Sequence, residues 1–183
     1  MCKLRSILRD LWRDVRGVSA LEFALILPVG LTLLYGTAEA GYVMLLDRKI
    51  TAAVQSAGDL VAQETEVTDG SLESILDIVD IIMRPYPTEN LVTTSVASIS
   101  LNPFDNTQQI LDWIFPDTAT SPLATGGAGI PDGLLLTPQD SVIVTTISYP
   151  YSPRLTTNVF RAFIITDRSY LRPRNGGTIE KTD

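Results

Sequence analysis

The chain has 183 residues, of which 14 are Lys or Arg and 21 are Asp or Glu, so its formal net charge is −7. This length favours one modest domain with an attachment, and an acidic chain lacks the basic surface that nucleic-acid binding needs. Histidine is absent and Cys2 is the only cysteine. These counts exclude His-dependent catalysis, His or Cys metal clusters and an intramolecular disulfide. We predict no cofactor, no metal site and no nucleic-acid partner.

The charge is unevenly placed along the chain. Met1–Gly17 contains five basic and two acidic side chains and carries +3, so the remaining 166 residues carry −10. Val18–Leu46 follows, and its only charged side chains are Glu22 and Glu39. A basic block before a long apolar run is typical of a membrane or export element whose N-terminus stays in the cytoplasm. The sequence therefore predicts that the rest of the chain is exported.

Three interpretations of the apolar run are open. As a plain anchor, Phe23–Ala38 offers 16 uncharged residues. They span about 24 Å of a hydrocarbon core of about 30 Å, so one or both glutamates would lie near its boundary or be buried. As a secretory signal peptide, the run ends in a small-x-small cleavage site, Ala38-Glu39-Ala40. As a prepilin-type signal, the basic leader ends at Gly17 and Val18 begins the mature helix.

The prepilin interpretation is the one that gives Glu22 a use, at the fifth position of a helix that begins at Val18. A carboxylate at the centre of a membrane helix costs about 2.5–3.5 kcal/mol, and less near the interface. In a filament of packed helices, Glu22 can pair with the α-amino group that cleavage after Gly17 creates on Val18 of a neighbouring subunit. The simpler alternative is that Glu22 is an acid lying at the membrane interface.

The segment Arg16–Ala62 resembles the N-terminus of TadE-like proteins, which are pseudopilins of the bacterial tight-adherence (Flp) pilus machinery. Ile147–Leu155 and Tyr170–Gly176 also resemble the C-terminal half of these proteins, whereas Leu101–Leu135 matches poorly. The N-terminal positions that carry the resemblance are Gly17, Glu22, Phe23, Pro28 and the segment Gly36–Gly41 with Glu39.

This resemblance implies a pseudopilin or minor pilin with no enzymatic activity. It implies cleavage between Gly17 and Val18 by a prepilin peptidase, and assembly through Glu22 and Phe23. The implied partners are that peptidase, other pilins and pseudopilins, the inner-membrane pilus assembly platform and membrane lipid. The implied location is the bacterial inner membrane, with a cytoplasmic N-terminus and a periplasmic C-terminal domain, or the pilus itself in cell adhesion. The alternative is a secreted soluble binding protein, cleaved by ordinary signal peptidase after Ala40.

The apolar helix is predicted to continue beyond Asp47 as an amphipathic stem. Its apolar positions recur at spacings of 4, 3 and 4, and they are Ile50, Val54, Ala57 and Val61. Small residues beside them permit close packing. This stripe fits contact with the chain's own domain as well as contact with another subunit. A second helix is predicted to begin at Thr68–Ser71 and to end before Pro85-Tyr86-Pro87.

Short segments rich in β-branched and aromatic residues follow Pro87. The predicted strands are Leu91–Leu101, Gln108–Phe115, Ser141–Tyr149 and Phe160–Leu171. Pro116–Pro138 is predicted to be a loop, and Tyr149–Pro153 a rigid extended turn between the last two strands. Trp113 and Phe115 are either core residues or a binding edge.

The predicted fold class is α+β and pilin-like. A long N-terminal transmembrane helix continues as an amphipathic stem and packs on a small antiparallel sheet. The predicted divisions are a leader over 1–17, a transmembrane helix over 18–46 and an exported domain over 47–183.

Overall fold

The computed structural model describes residues 17–88, 91–104, 108–119, 130–131, 133–134, 137, 140–153 and 161–182. The predicted leader before Gly17 therefore lies outside the described residues. So does most of the loop predicted over Pro116–Pro138, including its glycine cluster.

Two helices and six strands make up the described part of the chain. The helices are α1 (Val18–Gln63) and α2 (Asp69–Met83). The strands are β1 (Glu66–Val67), β2 (Thr93–Leu101), β3 (Gln109–Phe115), β4 (Ser141–Tyr151), β5 (Phe163–Leu171) and β6 (Glu180–Lys181). Strands β2 to β5 form an antiparallel sheet in the order β3-β2-β4-β5, and β1 pairs in parallel with β6. The predicted α+β class is confirmed.

Helix α1 is continuous over 46 residues, but its two halves differ in burial. Residues 17–35 are all exposed. The buried positions all lie at or beyond residue 39 and are Glu39, Leu46, Ile50, Ala53, Val54, Ala57, Gly58, Val61 and Ala62. The predicted stripe from Ile50 to Val61 lies in the hydrophobic core between α1, α2 and the sheet. The stem is thus a core element of its own domain.

Strand β5 runs beside α1 in the same direction. The Thr51 hydroxyl of α1 donates to Asp167 of β5 at 2.6 Å. Further along both segments, the Arg174 amide donates to the Ala62 carbonyl at 2.8 Å. The two segments therefore rise together from one end of the domain to the other.

At Gly58, helix α1 lies tightly against the sheet. A Cβ atom there would lie 2.7 Å from Ser169 Oγ and 3.0 Å from both Leu171 Cδ1 and Thr145 Oγ1. The same Ser169 hydroxyl donates to the Val54 carbonyl of α1 at 3.0 Å. Glycine is therefore the residue that lets this turn of helix lie on β4 and β5.

Helix α2 begins and ends at polar contacts. At its start, the Ser71 amide donates to Thr68 Oγ1 at 3.2 Å and the Thr68 amide donates to Ser71 Oγ at 2.8 Å, which is a capping box. At its end, the ammonium group of Lys49 from α1 donates to the carbonyls of Ile82 at 3.0 Å and Arg84 at 2.5 Å. A cation at a helix C-terminus binds carbonyls that have no partner within the helix.

Replacing Lys49 should loosen the end of α2 on α1. We expect Lys49→Met to lower the free energy of unfolding by about 1 kcal/mol, because two carbonyls lose a charged donor. Urea unfolding of the full chain in mild detergent, followed by near-ultraviolet circular dichroism, measures this loss. The neighbouring Arg48 is exposed, so Arg48→Met is the matched control and should leave stability unchanged. Equal losses in both variants would contradict the capping role.

The four predicted strands are present, with one correction at β4. The strand runs on through Pro150 to Tyr151, so the first part of the predicted turn belongs to it. Pairing with β2 ends at Ser148 opposite Thr93, whereas pairing with β5 continues to Tyr151 opposite Phe163. Past Ser148, β4 is therefore an edge, where proline is tolerated. The connection begins two residues later than predicted.

Trp113 and Phe115 are part of the core and not a free binding edge. Both pack against the cluster that holds Val61 and Val67, and the Trp113 indole donates to the Ile179 carbonyl at 2.7 Å.

Two basic side chains near the C-terminal end of the domain, Lys181 and Arg174, pair with acidic side chains of the same chain. Lys181 lies 2.9 Å from Asp69 and 3.0 Å from Asp117, and its hydrogen bonds to Asp69 and then to Asp117 raise the pKa of the Lys181 ammonium. Arg174 pairs with Asp59 at 2.5 Å. The Arg174 pair is solvent-exposed, so it contributes little to stability.

Candidate functional site

The four predicted processing and assembly residues lie together at the start of α1. Gly17 is the N-cap residue and Val18 is the first residue of the helix. Glu22 and Phe23 follow about one turn later. All four are exposed, and a Cβ atom at Gly17 would meet nothing within 4 Å among the described residues. Among the described residues, nothing covers this end of the helix, and the roles of the four residues remain predictions.

Glu22 is a polar side chain on an apolar, exposed surface. Leu25 and Ile26, three and four residues further on and so on the same face of the helix, are 70% and 67% exposed. Glu22 makes no hydrogen bond or ion pair with any other residue that the structure describes. Within the part of the chain that the structure describes, the Glu22 carboxyl group therefore has no partner.

Helix α1 is long and apolar enough to cross a membrane, by length and composition, and within the described residues it is the one such helix. None of its most apolar 18-residue window is buried in the structure. From Val18 to Ala38 the helix rises about 30 Å, which is the thickness of a bilayer's hydrocarbon core. The helix is therefore consistent with a single-pass membrane anchor.

Glu39, the second glutamate of the apolar run, lies directly after this 30 Å and is buried against the domain. Its side chain is 6% exposed, and the Tyr151 hydroxyl at the end of β4 donates to its Oε1. Glu39 is thus buried within the protein, whereas Glu22 is exposed, and the position of either residue in a bilayer stays a prediction. Sequence reasoning missed the tyrosine because 112 positions separate the two residues.

An aromatic cluster surrounds this contact and joins both helices to the sheet. The ring of Tyr42 in α1 lies 5.1 Å from that of Tyr86, which follows α2, and 6.1 Å from that of Tyr151. The Tyr151 ring lies 5.3 Å from Phe163 at the start of β5. Burial, and secondarily the neighbouring Tyr42, raises the pKa of the Tyr86 phenol. Tyr86 and Tyr151 belong to the core, and Tyr42 and the exposed Phe163 extend the cluster to the end of the domain where α1 leaves it, which we call the lower end.

A groove of about 300 Å³ lies beside the aromatic cluster, between α1 and the ends of β4 and β5. Its lining is Gly36, Glu39, Ala40, Val43, Met44, Tyr151, Pro153, Arg161 and Phe163. The walls are mostly apolar, and Glu39 and Arg161 supply the charged groups. No sequence pattern indicated this groove, because its two sides come from distant parts of the chain.

Removing the Tyr151 hydroxyl should weaken the attachment of the sheet to α1. We expect Tyr151→Phe to lower the free energy of unfolding by about 1–3 kcal/mol, because the buried Glu39 carboxyl group loses a donor. Urea unfolding in detergent measures the loss, and Tyr170→Phe is the matched control, since the Tyr170 hydroxyl has no hydrogen bond within the described residues. An equally large loss in Tyr151→Phe once Glu39→Ala is present would contradict a direct coupling.

The described residues offer surfaces for association and no recognisable catalytic arrangement. Within them, no group of three or more His, Cys, Asp or Glu side chains is placed to hold a metal ion. What the chain presents is an exposed apolar helix with one glutamate, joined without interruption to a folded domain.

Comparison with known proteins supports the interpretation of this helix. Residues 17–59 match the family model described as TadE-like protein. The match begins at Gly17 and ends within α1, so it covers the exposed half and most of the stem. No curated protein and no solved structure matches the chain. The match confirms the resemblance of the N-terminal segment.

Proposed function

Because residues 17–59 match the TadE-like family model, we propose that this chain is a pseudopilin, or minor pilin, needed for assembly of a tight-adherence (Flp-type) pilus. Its role is structural and not enzymatic. The observation that carries the proposal is the division of α1, whose first half is exposed and apolar and whose second half is the core of a domain. Such a helix joins a membrane or filament interior to a folded head.

Before assembly, the subunit lies in the inner membrane as a single-pass protein. Residues 1–17 form a cytoplasmic leader held by its +3 charge. The exposed part of α1, up to about Ala38, crosses the bilayer, and the rest of the predicted 18–46 segment enters the folded domain, which lies in the periplasm. The prepilin peptidase cleaves between Gly17 and Val18. The exposed position of Gly17 and the free space around its Cα support access by the peptidase.

Assembly uses the same end of the helix. Cleavage turns the Val18 amide into a charged α-amino group about one turn from Glu22. In a bundle of apolar helices, an ion pair forms between Glu22 of one subunit and Val18 of the next, because a lone charge in that environment is unfavourable. The exposed apolar side chains, Phe23 among them, supply the packing surface for other pilins and for the assembly platform.

Cleavage after Ala40 by ordinary signal peptidase is the alternative, and the structure offers an observation against it. Ala40 lies in the interior of α1, and the preceding Glu39 is bonded to Tyr151 of the sheet. Cutting there would remove a buried contact and part of the wall of the groove. The prepilin interpretation leaves all of these contacts intact.

N-terminal sequencing of the mature protein tests the proposal. In the native host we expect a start at Val18, and a strain without the prepilin peptidase should retain the leader. Gly17→Leu should also block cleavage without altering the fold, because the side chain enters open space. Gly30 has equally free surroundings, so Gly30→Leu is the matched control and should be processed. A start at Gly41, or an intact N-terminus in the presence of the peptidase, would overturn the proposal.

A further inference from the structure

The lower end of the sheet, where β4 ends at Tyr151 and β5 begins at Phe163, lies at the level of Glu39 along the axis of α1. From Glu39 to Val54 the helix rises about 22 Å, and from Phe163 to Ser169 the strand advances about 20 Å. Ser169 donates to the Val54 carbonyl, so the upper ends of these two segments touch. Because α1 and β5 run in the same direction, Phe163 lies beside Glu39, as the shared contact with Tyr151 also requires.

This level coincides with one boundary of a bilayer that α1 crosses. The helix rises about 30 Å from Val18 to Ala38, the full hydrocarbon thickness, and the interfacial region of headgroups begins there. Glu39 and the lower end of the sheet therefore fall within that interfacial region. No linker separates the domain from the membrane-crossing part of α1, since the helix is continuous from Val18 into the core.

The side chains at this end have the chemistry of a lipid contact. Phe163 is 45% and Ile164 is 68% exposed, although both lie on a strand of the folded domain. Arg161, two residues before β5, is exposed and lines the same groove as Phe163. Aromatic rings and aliphatic side chains beside a cation match the interface, where acyl chains meet phosphate groups.

We propose that this lower end of the domain, formed by Arg161, Phe163 and Ile164, lies in the headgroup layer of the membrane that α1 crosses. Phe163 and Ile164 contact acyl chains, and Arg161 binds lipid phosphate. Phospholipid is the occupant because the surface continues directly from the exposed apolar half of α1. The inference rests on α1 crossing a membrane, as proposed above, and does not depend on pilus assembly.

Depth-dependent fluorescence quenching tests this contact in the full chain. With Cys2→Ser as background, a single cysteine is placed by Ile164→Cys, labelled with bimane and reconstituted in nanodiscs whose phospholipids are brominated near the headgroup. Leu33→Cys, in the exposed half of α1, reports the membrane span. Ile81→Cys is the matched control, because Ile81 is an isoleucine of the same domain with 61% exposure. It adjoins Ile82, whose carbonyl is held by Lys49 about 15 Å above Glu39.

We expect quenching at position 164 to be at least threefold stronger than at position 81. Equal weak quenching at 164 and 81, with strong quenching at 33, would overturn the lipid contact while leaving the membrane helix in place. Weak quenching at 33 as well would refute the membrane span, and the lipid contact with it. If 164 is unquenched and instead cross-links to 164 of a second copy, the surface is a protein interface and the inference is wrong.

Discussion

Glu22→Ala is expected to reduce the number of surface pili at least tenfold while leaving insertion and processing of the chain unchanged. Glu22 is exposed and has no bonding partner among the described residues, so its removal disturbs no contact in the folded domain. Its absence leaves the new α-amino group of Val18 on the neighbouring subunit without a counter-charge in an apolar bundle. Counting pili by electron microscopy, alongside immunoblots of membrane fractions for processed protein, measures both effects.

Two further variants separate the charge of Glu22 from its bulk. Glu22→Gln keeps the size and removes the charge, so it should lose pili as Glu22→Ala does. Leu25→Met keeps an exposed side chain on the same helix face apolar and of similar volume, and it should leave piliation within about twofold of the parent. Normal piliation in Glu22→Ala would end the pairing hypothesis, and a Glu22→Gln variant with full piliation would limit the role of Glu22 to hydrogen bonding.

Gly58→Val should lower the free energy of unfolding of the domain by about 2–3 kcal/mol, at the upper end of what overpacking costs. Even the Cβ atom of such a side chain would lie 2.7 Å from Ser169 Oγ, and the two γ-carbons would press further against β4 and β5. Moving Ser169 aside breaks its hydrogen bond to the Val54 carbonyl. Thermal unfolding of the full chain in detergent, followed by near-ultraviolet circular dichroism, measures the loss.

The control for this prediction is a glycine in the other helix. Gly70 lies in the first turn of α2 and a Cβ atom there meets nothing within 4 Å, so Gly70→Val should change stability by less than about 0.5 kcal/mol. Because valine is intrinsically a better helix former than glycine, a destabilised Gly58→Val variant cannot be attributed to helix propensity. Equal melting temperatures for Gly58→Val and the parent would show that the sheet accommodates the side chain.

The sequence was informative about elements whose signals are local. The spacing of Ile50, Val54, Ala57 and Val61 identified the buried face of the stem, because periodicity reports which face is covered. It left open whether the covering surface belongs to the same chain, since an apolar stripe has the same pattern in either case. Contacts such as Ser169 with Val54 answer that question, and they depend on pairing across the whole fold.

The candidate site divides in the same way. Gly17 and Glu22 could be proposed as site residues because a basic block, a glycine and an acid follow one another in the sequence. The Glu39 contact and the groove were not, because Tyr151 and Arg161 reach α1 through the hairpin of β4 and β5. The boundary of β4 was also missed, since a proline normally ends a strand and Pro150 is tolerated only where the partner strand β2 stops.

The continuity of α1 fixes the rotation of the folded domain about the helix axis as well as its distance from Glu22 along that axis. Each residue of an α-helix turns the chain by about 100° around the helix axis and advances it by about 1.5 Å along that axis. The direction of Glu22 relative to the sheet is therefore set when the domain folds, because the helix that connects them is continuous. A subunit docking onto a filament through its lower helix would present the same face of its head at every position. Inserting a single residue between Glu22 and Glu39 would turn the head by more than a quarter of a revolution.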